Sequence, residues 1–228
     1  MRIGGLQKTT LLDFPGRVAC TVFLCGCNFR CPFCQNSGLL EGGGDGIGEE
    51  EFFAFLQKRR GILDGVCVTG GEPLVHADIA AFLQKIKAAG YAVKLDTNGA
   101  FPARLKELCA AGLCDFVAMD IKNSPERYAM TAGVPVDMDA VRESAAFLTE
   151  GGVPYEFRTT VVKELHRGED FVNIGRWLRG AKRYFLQTFR DGDSVLRRGL
   201  SPCSEAEMQT FKKLLLPFIP AAKLRGEN

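Results

Sequence analysis

Apolar positions in this chain of 228 residues alternate between two patterns. One is a short stretch, apolar on both sides, at residues 17–25, 66–69, 92–96, 116–121, 156–162 and 184–188. In the first of these, Val18, Thr21, Val22, Phe23 and Leu24 supply the β-branched and aromatic content of a buried strand. The other pattern is longer and helical in period, at residues 49–60, 78–89, 102–111, 139–150 and 169–179. Its first instance opens on Glu49-Glu50-Glu51 and closes on Lys58-Arg59-Arg60, acid and base placed to complement the helix dipole. A glycine follows each segment, at Gly61, Gly90, Gly112, Gly151 and Gly180, where a helix should stop. One more helix is expected from Ser204, whose spacing to Glu207 makes a capping box. Residues 1–16 read as a lead-in ending at the turn signal Pro15-Gly16. Residues 41–48 carry five glycines and read as a flexible connector. No closing Lys-Ser/Thr makes them a phosphate loop.

Strand and helix alternating every 25–40 residues or so imply βαβ crossovers, with a parallel sheet covered by helices. Six strands fall short of the eight that close a (β/α)8 barrel. The pattern therefore predicts an α/β fold, a partial (β/α)6 TIM-like barrel over 17–189, with 190–228 as a C-terminal loop and helix of the same domain. Composition then narrows the possible partners. Hydrophobic residues at 46% and charged residues at 25% are ordinary globular values. A formal charge of +2 gives no case for nucleic acid, and Lys58-Arg59-Arg60 and Arg197-Arg198 read as solvated faces. No apolar run approaches the roughly 20 residues that span a bilayer, so no membrane is expected. Residues 1–20 lack the basic start and apolar core of a signal peptide. Nine cysteines in no regular framework fit a reducing compartment, the cytoplasm.

Three of those cysteines are packed too closely for ordinary core positions: Cys27, Cys31 and Cys34, spaced C-x-x-x-C-x-x-C directly after the first strand. A loop of this spacing wraps its thiolates around one face of a cubic iron–sulfur cluster and leaves the fourth iron without a protein ligand. An open iron can bind a substrate, as an open zinc position does. The alternative is zinc, which wants four ligands. The remaining cysteines are scattered, His76 and His166 form no H-x-x-x-H pair, and Cys25 reads as the end of a strand. Downstream, polar residues gather at predicted strand ends, where barrel chemistry collects. These are Gly70-Gly71-Glu72-Pro73, Asp96-Thr97-Asn98-Gly99 and Asp120-Ile121-Lys122, with Arg158 and Gln187 on the last two strands. Read alone, the first is a strand-to-helix turn and the second a turn. Asp120 at an apolar strand end needs a partner, which Lys122 could supply, and a barrel-interior Arg158 needs anions. No Ser/His/Asp arrangement or acid pair supports hydrolysis.

The cysteine motif with its aromatic Phe33, followed by Gly70-Gly71-Glu72-Pro73, resembles the radical S-adenosylmethionine (SAM) enzymes. Leu12-Asp13-Phe14-Pro15-Gly16 and the run from Phe23 to Cys31 are similar to glycyl-radical-enzyme activases, and most to those of anaerobic ribonucleoside-triphosphate reductase. The resemblance implies a [4Fe-4S] cluster on Cys27, Cys31 and Cys34, with Phe33 flanking the adenine of SAM. It implies that Gly70, Gly71, Glu72 and Pro73 meet the SAM amino group. Asp96 and Thr97 would lie beside SAM and help hold a monovalent cation. Lys122 would neutralise the SAM carboxylate, Asp120 would organise the ribose or a cation, and Arg158 would face a carboxylate. Gln187 would reach the adenosine, although the pyruvate formate-lyase activases have a histidine near there, where this chain has Phe189 or Arg190. The implied partners are a glycyl radical enzyme as protein substrate and a flavodoxin or ferredoxin-like electron donor. Three alternatives stay open: an activase of the pyruvate formate-lyase type, a compact small-molecule enzyme such as 7-carboxy-7-deazaguanine synthase, and an electron-transfer or zinc module. The Leu-Asp-Phe-Pro-Gly lead-in favours an activase over the second, and Gly-Gly-Glu-Pro with Asp-x-Lys argues against the third.

Overall fold

A computed structural model describes residues 1–40 and 46–226. Residues 41–45, most of the glycine-rich connector, lie outside the described residues. Eight strands form one sheet in chain order: β1 Ile3–Thr10, β2 Ala19–Leu24, β3 Gly65–Gly70, β4 Ala92–Thr97, β5 Phe116–Asp120, β6 Tyr155–Val161, β7 Tyr184–Thr188 and β8 Ala222–Leu224. From β2 to β8 each neighbour is parallel, whereas β1 runs antiparallel to β2. The six predicted strands are the parallel β2–β7. Two edge strands are additions. The lead-in is largely strand, because Ile3–Thr10 pairs along β2 from Ile3↔Leu24 to Thr10↔Ala19. Among the described residues β1 and β8 do not pair, so the barrel stays open between them.

The helices fall at the predicted places: α1 Glu49–Lys58, α2 Ile79–Ala88, α3 Pro102–Ala110, α5 Met138–Glu150, α6 Gly168–Trp177 and α7 Glu205–Leu215. A short α4, Tyr128–Ala132, is inserted after β5. The capping box of α7 forms, with the Ser204 N–H donating to Glu207 Oε2 at 2.7 Å and the Glu207 N–H donating to Ser204 Oγ at 3.3 Å. Helix residues such as Phe52 and Phe82, stacked 5.6 Å apart, bury the outer face of the sheet.

The inner face is different. Side chains of alternate residues enter the barrel, and among them are Thr21, Cys67, Lys94, Asp96, Asp120, Glu156 and Arg158. The floor is apolar, a separate cluster in which Phe14 meets Ala19, Ala92 and Phe116. Phe14 therefore plugs the end where the strands start, its ring 6.3 Å from that of Phe116. The Leu-Asp-Phe-Pro-Gly stretch is thus a wall piece: Asp13 turns inward to accept from Thr21 Oγ1 at 2.6 Å, while Leu11 and Leu12 stay exposed. A polar interior over an apolar floor opens at the C-terminal ends of the strands.

Candidate active site

A cavity of about 360 Å³ opens at that end, lined from β2 through to β7. Of the residues expected from the sequence, Cys27, Cys31, Phe33, Cys34, Gly70, Gly71, Glu72, Asp96, Thr97, Asp120, Lys122, Arg158 and Gln187 all line it. Pro73 does not; it is buried at the start of a 3-10 turn, where it shapes the loop.

The cysteine loop follows β2 and is pinned from three sides. Two glycines let the next motif lie flat against it. The Gly71 N–H donates to Leu24 O and the Glu72 N–H to Gly26 O, both at 2.8 Å. A Cβ on Gly71 would stand 1.9 Å from Gly26 O, and one on Gly70, where φ is +121°, would stand 2.3 Å from Leu24 N. On the second side, Asn98 Nδ2 donates to Asn28 Oδ1 at 2.8 Å and the Arg30 N–H to Ala132 O at 2.9 Å. On the third, the segment after β7 straps across. The Leu196 N–H donates to Cys34 O and the Arg197 N–H to Pro32 O, while Ser37 Oγ donates to Ser194 O at 2.6 Å. His76 is structural, 2.7 Å from Cys25 O through Nε2, and Cys25 ends the strand run outside the cavity lining.

The three thiols share this one cavity, yet among the described residues no three His, Cys, Asp or Glu side chains converge on a single ion. Three cysteine ligands are one short of the four that a structural zinc takes, and they fit a cubic cluster with one iron left open. Burial pushes the Cys27 thiol up to about 11, against a hydrogen bond from the Phe29 N–H, and raises Cys31 as well, with Lys122 opposing. Thiolates at these positions therefore need added positive charge, which bound iron supplies.

Glu72 is 1% exposed and takes three donors: the Leu74 N–H at 3.1 Å, Thr97 Oγ1 at 2.8 Å and the Asn98 N–H at 2.6 Å. Burial still outweighs them and raises its carboxyl to about 7. A cation docking beside it would draw it back to the carboxylate. Next to it runs a row of alternating charge across β4, β5 and β6. Lys94 pairs with Asp96 Oδ1, and Arg158 Nη1 with Asp96 Oδ2 at 3.1 Å. Arg158 Nε reaches Asp120 Oδ1 at 2.9 Å, and Lys122 Nζ reaches Asp120 Oδ2 at 3.1 Å. Register explains the row: Asp120 and Arg158 are direct partners between β5 and β6, and Lys94 and Asp96 share one face of β4. Burial works against every charge here, but Arg158 and then Lys122 hold Asp120 far below the usual carboxylate range, and Asp120 raises Lys122. Lys122 Nζ also sits 5.9 Å from the Phe33 ring centroid. Sequence reasoning missed Lys94, which lies in a strand read as apolar, and Asn98, which read as a turn residue. Asn98 ties the end of β4 to the cysteine loop.

Chemically the cavity offers three thiols, a carboxylate awaiting a cation and an ammonium beside an aromatic ring. Residues 21–178 match the Radical SAM superfamily. A Methanocaldococcus jannaschii protein named "putative glycyl-radical enzyme activating enzyme" is 27% identical over 99% of this chain and 96% of its own. A 7-carboxy-7-deazaguanine synthase of Methanospirillum hungatei is 38% identical over a shorter span, 36% of this chain and 35% of its own. Among solved structures, a domain of the pyruvate-formate lyase-activating enzyme from Bacteroides vulgatus superposes with a TM-score of 0.58 at 18% identity, covering 71% of this chain and all but 1% of that one, a likeness of fold. With the superfamily's match spanning more than half of the chain and the three thiols and the glycine-rich strand end meeting in one cavity, the chain belongs to the radical SAM superfamily of enzymes.

Proposed function

We propose that this enzyme is a glycyl-radical-enzyme activase whose protein substrate is an anaerobic ribonucleoside-triphosphate reductase. The observation that carries the reading is the meeting of Cys27, Cys31 and Cys34 with Glu72 and Lys122 in a cavity that is open at one rim. When bound, a [4Fe-4S] cluster supplies the electron that splits SAM into methionine and a 5′-deoxyadenosyl radical. The chain's own residues bind and orient. Cys27, Cys31 and Cys34 hold three irons. Glu72 receives the SAM ammonium, with Gly70 and Gly71 bringing backbone close and Pro73 fixing the turn. Lys122 pairs with the SAM carboxylate and is itself aimed by Asp120, which Arg158 holds in place. Asp96 and Thr97 border the same end, Phe33 flanks the adenine, and Gln187 faces the adenosine. The apolar floor around Phe14 excludes water from below.

The full-length likeness to a protein named as an activating enzyme supports this reading over the small-molecule one, whose relative matches about a third of the chain. So does the open rim of the cavity at the C-terminal ends of the strands, where a loop of another protein can approach. A flavodoxin or ferredoxin-like donor in a reducing cytoplasm completes the scheme; no helix among the described residues is long and apolar enough to cross a membrane. The test is anaerobic incubation of the cluster-loaded protein with SAM, a reductant and the reductase. A glycyl radical signal in electron paramagnetic resonance is expected. SAM cleavage without that signal, while a small molecule is converted, would overturn the activase reading.

A further inference from the structure

The residues expected to hold a monovalent cation do not fit one. Every carboxylate oxygen of Asp96 and Asp120 already meets a cationic side chain: Lys94 and Arg158 on Asp96, Arg158 and Lys122 on Asp120. Thr97 Oγ1 is committed too, donating to Glu72 Oε1 at 2.8 Å and accepting from the Gly99 N–H at 3.1 Å. Lys94, Arg158 and Lys122 thus already occupy the carboxylate oxygens that a metal ion would need as ligands.

We propose that Lys94 is a built-in replacement for that metal ion, so the SAM site of this chain works without sodium or potassium. Lys94 suits the task physically. Its side chain is 1% exposed, and it rises from the barrel interior between Cys67, 3.7 Å from Nζ, and Asp96. An ammonium there cannot exchange with solvent, as a bound ion would. It fixes Asp96, and Asp96 with Arg158 fixes Asp120 and so Lys122, which makes Lys94 a positioning residue rather than a catalytic one. A lone buried lysine would serve as well to keep two aspartates ionised. The positioning role differs in one respect: removing the ammonium should recreate a place for a metal cation.

The location of the SAM carboxylate rests on the activase reading, but the stability readout below does not. The cluster-loaded protein is compared in potassium, sodium and choline chloride, each at about 0.1 M so that ionic screening is constant. Thermal midpoints are read without SAM, and SAM affinity by equilibrium titration. For the unmodified chain the thermal midpoint and the SAM affinity are expected to be the same in all three salts. For Lys94→Ser, potassium or sodium should raise the thermal midpoint over choline and tighten SAM binding by about fivefold or more, since coupling between two ligands is reciprocal. Potassium or sodium selectively stabilising the unmodified chain, or tightening its SAM binding, would overturn the proposal. So would a folded Lys94→Ser variant that is indifferent to the cation. If Lys94→Ser does not fold, Lys94→Gln and the unmodified chain carry the same comparison. A failed activase assay alongside cation-indifferent binding would refute the functional reading and leave this one standing.

Discussion

Replacing Gly71 with alanine tests whether the Gly-Gly-Glu-Pro strand end truly sets the cysteine loop. The added Cβ would lie 1.9 Å from Gly26 O, 2.6 Å from the Gly26 carbonyl carbon and 3.2 Å from Cys27 Cβ. Carbon and oxygen need at least about 3 Å, so the backbone just before Cys27 must retreat by about 1 Å. That retreat stretches the bond from the Glu72 N–H to Gly26 O, now 2.8 Å. Overpacking of this kind costs about 1–3 kcal/mol, and a weakened buried hydrogen bond about 1 more, so a loss of about 2–4 kcal/mol is expected. Gly112→Ala is the control. Its φ of +67° makes a side chain strained, at about 1–2 kcal/mol, but nothing lies within 4 Å of the added atom. Urea unfolding measures both, and iron per chain after anaerobic reconstitution reads the loop directly. Gly71→Ala should lose iron while Gly112→Ala keeps it. Full iron retention by Gly71→Ala, at a stability equal to the control, would refute the reasoning.

Three further outcomes follow from the charge row, the buried imidazole and the strap. Arg158→Leu leaves Asp96 and Asp120 with one lysine each but strips one oxygen of each carboxylate of its guanidinium partner, and the two lost charge-assisted bonds should together cost about 3–5 kcal/mol in urea unfolding, against less for Arg158→Lys. His166 is held neutral, its Nδ1 accepting from the Val162 N–H at 3.1 Å and its Nε2 lying 3.0 Å from Lys122 O, and burial first of all pulls its pKa below the ordinary value of about 6.5. The unfolded chain therefore binds the extra proton, and the imidazole's own contribution to stability should fall as pH drops through about 6.5, by at most about 1.4 kcal/mol per unit, against the opposite contribution of Glu72, whose raised carboxyl binds its proton in the folded chain. His166→Asn, measured over the same pH series, should show a smaller slope; an equal slope would contradict the assignment. Removing the strap's anchor with Ser37→Ala, which deletes a 2.6 Å bond to Ser194 O, should speed loss of iron to a chelator without a change in the free energy of urea unfolding beyond about 1 kcal/mol.

Much of this architecture was legible in the residues because two physical periods carry it. Apolar runs of strand length separated by helical repeats gave β2–β7, and the rule that barrel chemistry sits at strand ends gathered Glu72, Asp96, Asp120 and Lys122 before any coordinates did. The edge strands were hidden for opposite reasons. Ile3–Thr10 contains two glycines and a polar run, so it reads as coil until β2 offers a ladder, and Ala222–Leu224 is too short to carry a period. Lys94 was hidden because a strand pattern counts apolar neighbours and cannot see that a partial barrel has a polar inside. The proposed replacement of the expected metal cation by Lys94 rests on the same fact: the resemblance implies that Asp96, Thr97 and Asp120 gather at the site, but only the register of β4, β5 and β6 brings Lys94 and Arg158 onto the two aspartates.

The most direct measurement is 5′-deoxyadenosine formed from SAM by the anaerobically reconstituted, reduced protein, compared among the parent chain and the single Cys27→Ala, Cys31→Ala and Cys34→Ala variants. Formation by the parent and none by any of the three variants is the predicted result. Product undiminished in any variant, or zinc in place of iron in oxygen-free preparations of the parent, would contradict it.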